Sequence, residues 1–468
     1  HTPPPPPAPL FFFKHNTSYA MYRCLFGWDM CIRDRNSYRT MVLILLTVVY
    51  SFNFIDRQIV GILAPFIQQD LNLTNTQLGL LTGFYFALFY TFVAIPIAWL
   101  ADRFNRVNIV SIALATWSGF TALFGLAGNY LQISLARMGV GVGEAGGSPP
   151  SHSIISDLYS KEERASALGV YSMGIPFGVM AAYLVTASLI GSSSDAVDWR
   201  RIFVILGLAG IALALVVRLV IREPQRGSME MEQVAKVKQP PFLESLKTLL
   251  SIPSWWGMCF GIAFGSFVAY AFAAFQTKYL LLLDPTYDFK LLLIILGIMN
   301  GTTYAGGTFI GARIADRWGA KNIKAYGWLP AIAVILTFPL GVLCFWVPSV
   351  NLHLLLVTAL LFFSGIYFGP CFAIAQTLAP INQRAMSTAL FFFILNMIAL
   401  GGGPTFAGWL IDFFKTDASE LHATRLAMTF TYLVLIPSIV SFVLVSKILP
   451  RDWRNAEERN AKLSQSHG

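Results

Sequence analysis

Four ionisable residues lie inside long apolar stretches in the first half of this chain. They are Asp56, Arg57, Arg137 and Glu144. A charge at membrane depth is costly, so residues of this kind mark ion, proton or substrate pathways. Two acids and two bases sum to zero, which limits the desolvation cost of burying them together. Movement of either arginine relative to a carboxylate would change the affinity of that carboxylate for a proton, which offers a route to proton coupling.

The spacing of these residues favours one shared site near the middle of a membrane. Arg137 and Glu144 are two helical turns apart, so they share a face of one helix. At a rise of ~1.5 Å per residue, Asp56 lies ~18 Å below the outer end of its helix, and Glu144 lies ~21 Å below the outer end of its own. We predict that they face each other and bind substrate or coupling protons. The alternative is a static ion network that only ties the two helices together.

Small residues surround Glu144 in the sequence, and Pro149-Pro150 follows it. The glycines are Gly139, Gly141, Gly143, Gly146 and Gly147. We interpret this run as loosening the helix around Glu144, and we predict a lined cavity there rather than a tightly packed core.

The elements that would position these residues are transmembrane helices. Of the 468 residues, 56% are hydrophobic and 12% are charged, which is too apolar for a soluble protein of this size. About 20 mostly apolar residues cross the hydrocarbon core. This length predicts an all-α membrane protein with twelve transmembrane helices in two pseudo-symmetric six-helix bundles. The segments are residues 40–67, 76–100, 108–127, 131–157, 165–191, 202–221, 254–283, 291–312, 322–346, 351–378, 386–411 and 425–448.

A repeated motif indicates that one six-helix half is duplicated. Ala101-Asp102-Arg103 recurs as Ala315-Asp316-Arg317, and Glu163-Arg164-Ala165 is matched at similar spacing by Gln383-Arg384-Ala385. Such self-similarity is typical of transporters built from repeats. We predict a cytoplasmic gate whose charged contacts form in one state and break in the other. Its residues are Asp102, Arg103, Arg106, Asp157, Arg164, Asp316, Arg317 and Arg384.

Lys and Arg concentrate in alternate loops, which explains the net charge of +9 without nucleic-acid binding. The positive-inside rule places these loops and both termini in the cytoplasm. We therefore predict a multi-pass protein of a bacterial inner membrane. The predicted divisions are a doubtful or disordered N-terminus (1–36), an N-terminal bundle (37–222), a cytoplasmic linker (223–252), a C-terminal bundle (253–449) and a cytoplasmic tail (450–468).

The second half offers polar and aromatic residues instead of intramembrane charge pairs. Its cavity candidates are Tyr270, Gln276, Lys278 and Tyr367. If a cavity runs between the halves, one wall is charged and the other is apolar. Such a pocket suits an amphiphile with an ionic head and an apolar tail.

Other classes of function have weaker support in the sequence. A membrane-bound acyl- or phosphotransferase would need a clustered nucleophile and base, and the six histidines are scattered. Cys259, Cys344 and Cys371 lack metal-ligand spacing. We therefore expect no enzyme activity, no metal and no cofactor, and we keep a non-transporting sensor as a minority reading.

The motif between the second and third segments resembles that of the major facilitator superfamily. The core Leu100-Ala101-Asp102-Arg103 and Arg106 match, whereas both motif glycines are absent. The second copy, Ala315-Asp316-Arg317-Trp318-Gly319, keeps its later glycine. The resemblance extends from about residue 38 to about residue 449, and it implies the major facilitator fold.

Within that superfamily, the first half is similar to the spinster-like lipid transporters. The matching segments are Asn53-Phe54-Ile55-Asp56-Arg57, Arg137-Met138-Gly139 through Glu144, Ser156-Asp157-Leu158-Tyr159 and Arg222-Glu223-Pro224. The resemblance implies that the four intramembrane charges bind a polar head or carry coupling protons. It also implies transport of sphingosine phosphate or lysophospholipids in eukaryotic members.

These observations together predict a monomeric, alternating-access secondary transporter that is proton-coupled. Its predicted partners are a small-molecule or lipid substrate, protons and membrane lipids. The alternative from the same superfamily is a proton-linked symporter of small organic anions or sugar acids.

Overall fold

The computed structural model describes residues 17–101, 103–190, 197–225, 242–380, 383–416 and 418–465. Those residues form helices and loops, with no strand among them. Eleven stretches of the described residues are long and apolar enough to cross a membrane. The predicted all-α membrane fold is therefore confirmed.

The membrane spans are numbered here in chain order. Eleven come directly from length and composition, and the fourth consists of two shorter helices. They are span 1 (Ser37–Ile62), span 2 (Asn75–Ala101), span 3 (Arg106–Gly125), span 4 (Tyr130–Glu144 and Ser148–Leu158), span 5 (Ser166–Leu189), span 6 (Trp199–Val220), span 7 (Pro253–Leu283), span 8 (Phe289–Gly319), span 9 (Ala325–Cys344), span 10 (Val350–Leu378), span 11 (Met386–Lys415) and span 12 (Glu420–Arg459).

Two short helices and one extension complete the chain. The helix of span 1 begins upstream at Thr17, so residues 17–36 continue it as helix. Ala64–Leu71 follows span 1, and Phe242–Leu250 precedes span 7. Residues 1–16 of the predicted N-terminal segment and residues 226–241 of the predicted linker lie outside the described part of the chain.

The helix contacts repeat between the two halves, as the duplicated motif predicts. Span 1 contacts span 5 as span 7 contacts span 11, and span 3 contacts span 6 as span 9 contacts span 12. The halves touch where span 2 meets span 11, span 5 meets span 8 and span 1 meets span 7. We call the side on which spans 2, 4, 8 and 10 end the basic face, because the arginines of the repeated motifs follow those ends.

Three helices widen into π-helical turns where the halves meet. These turns are Leu80–Phe84 in span 2, Asn300–Tyr304 in span 8 and Asn396–Gly402 in span 11. The turns in spans 2 and 11 contact each other, and the turn in span 8 contacts span 5. Such turns interrupt the regular hydrogen-bond ladder and are frequent at functional sites. The hydrophobic pattern of the sequence gave no sign of them.

Span 4 breaks directly after Glu144. A turn at residues 145–147 ends the first helix, and Ser148–Leu158 starts again with proline in its first turn. Proline has no N–H to lose there, and its fixed φ suits the start of a helix. Glu144 is therefore the last residue of a helix rather than a mid-helix residue.

The helix does end at Glu144, but the glycines before this break serve close packing, so the prediction of a lined cavity rather than a tightly packed core is wrong there. A Cβ on Gly143 would lie 2.6 Å from the backbone N of Trp117 in span 3. A Cβ on Gly141 would lie 2.8 Å from the carbonyl O of Phe86 in span 2. Small residues let membrane helices approach each other at backbone distance. Span 4 is thus wedged tightly between spans 2 and 3.

We expect Gly143→Ala to destabilise the protein by about 1–3 kcal/mol, because the added methyl overlaps span 3. The measurement is the thermal midpoint of the purified protein in detergent. Gly119→Ala in span 3 is the matched control, since a Cβ there meets nothing within 4 Å. Equal midpoints for the two variants would contradict the tight fit of span 4.

Candidate functional site

Span 1 and span 4 meet at a buried ion pair. Arg57 donates from Nε to Oε2 of Glu144 at 2.8 Å. The side chain of Glu144 is fully buried, whereas that of Arg57 is 12% exposed. One end of the pair is thus sealed in helix packing and the other end reaches open space.

Arg137 lies beside this pair but is held differently. It donates from Nε to the carbonyl O of Leu81 and from Nη1 to the carbonyl O of Asp56, both at 3.2 Å. Among the described residues it forms no ion pair, and its side chain is buried. Carbonyl oxygens and an aromatic face therefore stabilise its charge in place of a direct carboxylate contact.

Asp56 is the fourth charge predicted for this site. Its side chain is buried and lies beside Trp117 and Thr121 of span 3, and it makes no ion pair within the described part of the chain. All four charges lie close enough to interact electrostatically. The structure therefore brings the four predicted residues together. Within the described part of the chain, Arg57 and Glu144 bind through their side chains, whereas Arg137 binds the main chain of Asp56.

Aromatic rings surround the two arginines. The guanidinium carbon of Arg57 lies 5.0 Å from the ring centroid of Phe86 and 4.6 Å from that of Tyr90. The same Phe86 ring lies 4.6 Å from the guanidinium carbon of Arg137. Cation–π attraction of this kind stabilises a desolvated cation without neutralising it. The sequence reasoning missed Phe86 and Tyr90, because single aromatics in an apolar run carry no distinguishing signal.

Several polar atoms of the site have no hydrogen-bond partner among the described residues. Oε1 of Glu144 and Oδ1 of Asn53 are both buried and unpartnered there. Arg57 uses only Nε within this part of the chain, so its two terminal nitrogens remain available. Buried polar groups are normally paired, and such exceptions are expected where a ligand, water or proton binds.

The candidates from the second half separate into different places. Tyr270 packs against the first-half cluster that contains Phe86, close to Arg57. Gln276 is buried, with Nε2 unpartnered among the described residues. Tyr367 is buried against Gly265 of span 7 and Phe442 of span 12, inside the second half. Lys278 lies at the face opposite the basic face, where it binds Gln68 and Glu420. Of the four, only Tyr270 reaches the charged site.

Arg106 organises the basic face of the first half. It binds Asp157, donates from Nη1 to Ser153 at 2.8 Å and donates from Nε to Glu223 at 2.7 Å. Nη2 donates to the carbonyl O of Pro224 at 2.9 Å, which joins the segment that follows span 6 to the start of span 3. The sequence reasoning assigned no role to Glu223, because its partner Arg106 lies far away in the sequence.

The remaining gate candidates of the first half make local contacts. Arg103 donates to the carbonyl O of Trp99 and stacks on its ring at 3.9 Å. Arg164 donates to the carbonyl O of Ser156 at 2.8 Å. Asp102 lies outside the described residues.

The equivalent residues of the second half are exposed. Asp316, Arg317 and Arg384 all lie at the surface of the basic face. In the repeat, Ala320 stands where the first half has Arg106. The second half therefore has no arginine at the position of Arg106, although Lys321 follows directly, and the buried network around Arg106 has no counterpart at that position.

A duplicated helical membrane protein with a buried charged site where its halves meet has the organisation of a transporter. The chain belongs to the Major Facilitator Superfamily, whose family model matches residues 46–404. It is accordingly a multi-pass transporter and not an enzyme, and its fold is the twelve-helix fold of that superfamily.

Relatives of known description fall into three groups. An MFS-type efflux pump of Mycolicibacterium smegmatis is 28% identical over 411 residues, which cover 87% of this chain and 92% of that protein. Protein spinster homolog 1 of Xenopus laevis is 30% identical over 249 residues, 52% of this chain and 47% of that one. A probable L-galactonate transporter of Escherichia coli is 25% identical over 250 residues, 52% of this chain and 54% of that one. The chain thus matches only about half the length of the last two.

A solved structure supports the resemblance to spinster-like transporters. A bacterial homologue of the human lysosomal transporter spinster, crystallised in an inward-facing and unoccupied conformation, is 28% identical. The two structures align with a TM-score of 0.82 over 89% of this chain and 98% of that one. The spinster-like resemblance predicted from the first half therefore extends to the whole fold.

We expect Arg106→Gln to lower the free energy of unfolding by about 2 kcal/mol, because Asp157 and Glu223 lose a shared, buried partner. Arg317→Gln is the control, since Arg317 is exposed and a surface change there should stay within about 0.5 kcal/mol. Thermal midpoints in detergent provide the comparison. Indistinguishable midpoints for the two variants would show that the network around Arg106 does not stabilise the first half.

Proposed function

We propose that this chain is a proton-coupled secondary transporter that moves a lipid-like amphiphile by alternating access. The substrate class is a lysophospholipid or a sphingolipid phosphate. The observation that carries the proposal is the Arg57–Glu144 pair, in which a partly exposed cation shares its charge with a fully buried carboxylate.

The head group would bind at Arg57. Its Nε is committed to Glu144, while its terminal nitrogens form a fork that suits phosphate or carboxylate oxygens. The surrounding rings of Phe86 and Tyr90 hold the guanidinium in place without competing for an anion. An anionic or zwitterionic head is therefore the chemistry that this site best accommodates.

Proton coupling would follow from competition for Arg57. A substrate anion that takes the positive charge of Arg57 leaves Glu144 as an uncompensated buried carboxylate, which is costly. Binding a proton at Glu144 removes that cost, and its unpartnered Oε1 is an available acceptor. The proton and the anion are thus favoured together, and release of the anion lets Glu144 lose its proton and pair with Arg57 again.

The tail would lie against the second half. Tyr270 and Leu400 pack on the same cluster as Phe86, and Phe393 contacts Phe92 across the two halves with ring centroids 5.7 Å apart. These side chains are aromatic or aliphatic, so this wall offers apolar surface opposite the arginines. A charged wall facing an apolar wall supports an amphiphile over a fully polar solute.

The placement in the cell follows from charge. We propose a bacterial inner membrane with the basic face and both termini in the cytoplasm, because the positive-inside rule favours that orientation. The proposed unit is a monomer in which residues 37–222 and 253–449 are the moving bundles. The proposed gate at the basic face consists of the charged residues at or just after the ends of spans 2, 4, 8 and 10, namely Asp102, Arg103, Arg106, Asp157, Arg164, Asp316, Arg317 and Arg384.

A second candidate is a proton-linked symporter of small organic anions or sugar acids. The similarity to the probable L-galactonate transporter favours it. Arg57 and Glu144 would act on the carboxylate of such a substrate in the same way. The two candidate functions differ in whether the substrate has an apolar tail that lies against the second half.

The deciding experiment is reconstitution in liposomes that contain a pH-sensitive dye, with lysophospholipids compared against short sugar acids. We expect proton movement with lysophospholipids only. Movement with sugar acids alone would replace the amphiphile by the second candidate, and silence with both substrates under an imposed proton gradient would refute proton coupling to either.

We expect Glu144→Gln to abolish the pH dependence of transport while leaving the fold intact, because glutamine keeps the shape but cannot bind or release a proton. Initial transport rates across a series of pH values provide the measurement. Glu163→Gln is the control, since that acid is 46% exposed at the basic face and pairs with Arg39. An unaltered pH profile in Glu144→Gln would refute the role of Glu144.

A further inference from the structure

At the face opposite the basic face, a carboxylate of the second half bonds to the start of a helix of the first half. Asp412, near the end of span 11, accepts hydrogen bonds from the backbone N of Asn75 at 3.0 Å and of Thr76 at 2.7 Å. The side chains of the same two residues also donate to it, at 2.7 Å from Nδ2 and 2.6 Å from Oγ1. Four hydrogen bonds thus join the start of span 2 to the end of span 11.

Asn75 sits at the centre of these contacts and is buried. Its amide nitrogen faces Asp412, and its amide oxygen binds the ammonium of Lys278. Lys278 also donates to Oε1 of Gln68 at 2.7 Å. One neutral side chain of the first half therefore contacts an acid and a base of the second half, each with the matching end of its amide.

The ion pairs on the second-half side do not involve the first half. Lys278 pairs with Oε1 of Glu420, and Lys415 pairs with Oε2 of the same carboxylate at 3.1 Å. These three residues lie in spans 7, 11 and 12, so separating the halves does not break their ion pairs. Asp412 forms no ion pair within the described second half, although it lies close enough to Lys278 to interact electrostatically, and its hydrogen bonds go to Asn75 and Thr76 of the first half.

Helix dipoles favour the charge of Asp412 at the start of span 2 over its position near the end of span 11. A negative charge at the C-terminal end of its own helix is unfavourable, whereas the same charge at the N-terminus of another helix is favourable. Asp412 occupies both positions at once. Its stabilisation therefore comes from span 2, and it would be lost when span 2 moves away.

Glycine packing brings the two helices within reach of these bonds. A Cβ on Gly408 would lie 2.2 Å from the carbonyl O of Asn75, and one on Gly79 would lie 2.3 Å from the carbonyl O of Pro404. Spans 2 and 11 therefore touch at backbone distance along this end.

We propose that Asp412 and Asn75 form the latch of the outer gate. Asp412 captures the N-terminus of span 2 and holds the transporter closed on the face opposite the basic face. Opening on that face requires Asp412 to release Asn75 and Thr76. The latch rests on the alternating access proposed above but not on any substrate, and it involves no residue of the charged site.

The test measures the distance between the halves at this face. Spin labels are attached at Gly128→Cys and Lys290→Cys, in a background from which the five native cysteines are removed. A side chain at position 128 meets nothing closer than Oε1 of Gln132 at 3.6 Å, and Lys290 is exposed. Distances are recorded without substrate or proton gradient, so a wrong substrate assignment does not affect the result.

Three latch variants have distinct expected outcomes. Asp412→Asn should increase the long-distance population about tenfold, since charge-assisted hydrogen bonds are lost. Asn75→Asp should increase it less, because the new carboxylate faces Asp412 but also pairs with Lys278 across the halves. The double variant Asn75→Asp with Asp412→Asn restores one acid opposite one amide, and it should return towards the parent distribution.

Asp284→Asn is the matched control, since this acid lies at the same face but bonds to Thr286 in its own loop. Thr76→Val removes a single hydroxyl and serves if either charge variant fails to fold. Unchanged distances in Asp412→Asn and Thr76→Val, with thermal midpoints near that of the parent, would overturn the latch. Opening in Asp284→Asn equal to that in Asp412→Asn would also overturn it.

Discussion

The ion pair between Arg57 and Glu144 is the contact on which the rest of the first half depends. A charge buried at membrane depth must have a partner close by, and this partner comes from a different helix. Spans 1 and 4 therefore have to meet at one depth, and spans 2 and 3 have to pack around them. The pair also limits what the site can do, because any anion that binds Arg57 competes with Glu144.

Close helix packing buries the carboxylate of this pair, so that its desolvation has to be offset by Arg57. Gly141 and Gly143 bring span 4 against the backbones of spans 2 and 3, which excludes solvent from Glu144. Phe86 of span 2 lies against the guanidinium groups of both arginines. The helix ends immediately after Glu144, so tight packing on one side adjoins an irregular turn on the other.

The sequence predicted those features that depend on local composition. Hydrophobic length predicted the spans, including 131–157, which is two helices joined by a turn. Intramembrane charge predicted Asp56, Arg57, Arg137 and Glu144, which lie together. The glycines before Glu144 were misinterpreted, because a run of small residues is compatible with a loose helix and with a tightly packed one. The distance to the neighbouring backbones distinguishes the two cases. Contacts such as Asp412 with Asn75 join residues far apart in the chain, and no local pattern marks them.

The two ends of the molecule are stabilised in different ways. At the basic face, Arg106 pairs with Asp157 and Glu223, and all three residues belong to the first half, so these bonds do not join the two halves. At the opposite face, Asp412 bonds across the halves, so its contribution exists only while that face is closed. Opening there must be offset by new contacts between the halves elsewhere. The exposed Asp316, Arg317 and Arg384 lie at the basic face, where closure would bring them towards the first half. Because Ala320 stands at the position of Arg106, the second copy of the motif cannot form the same arginine-centred network within its own half.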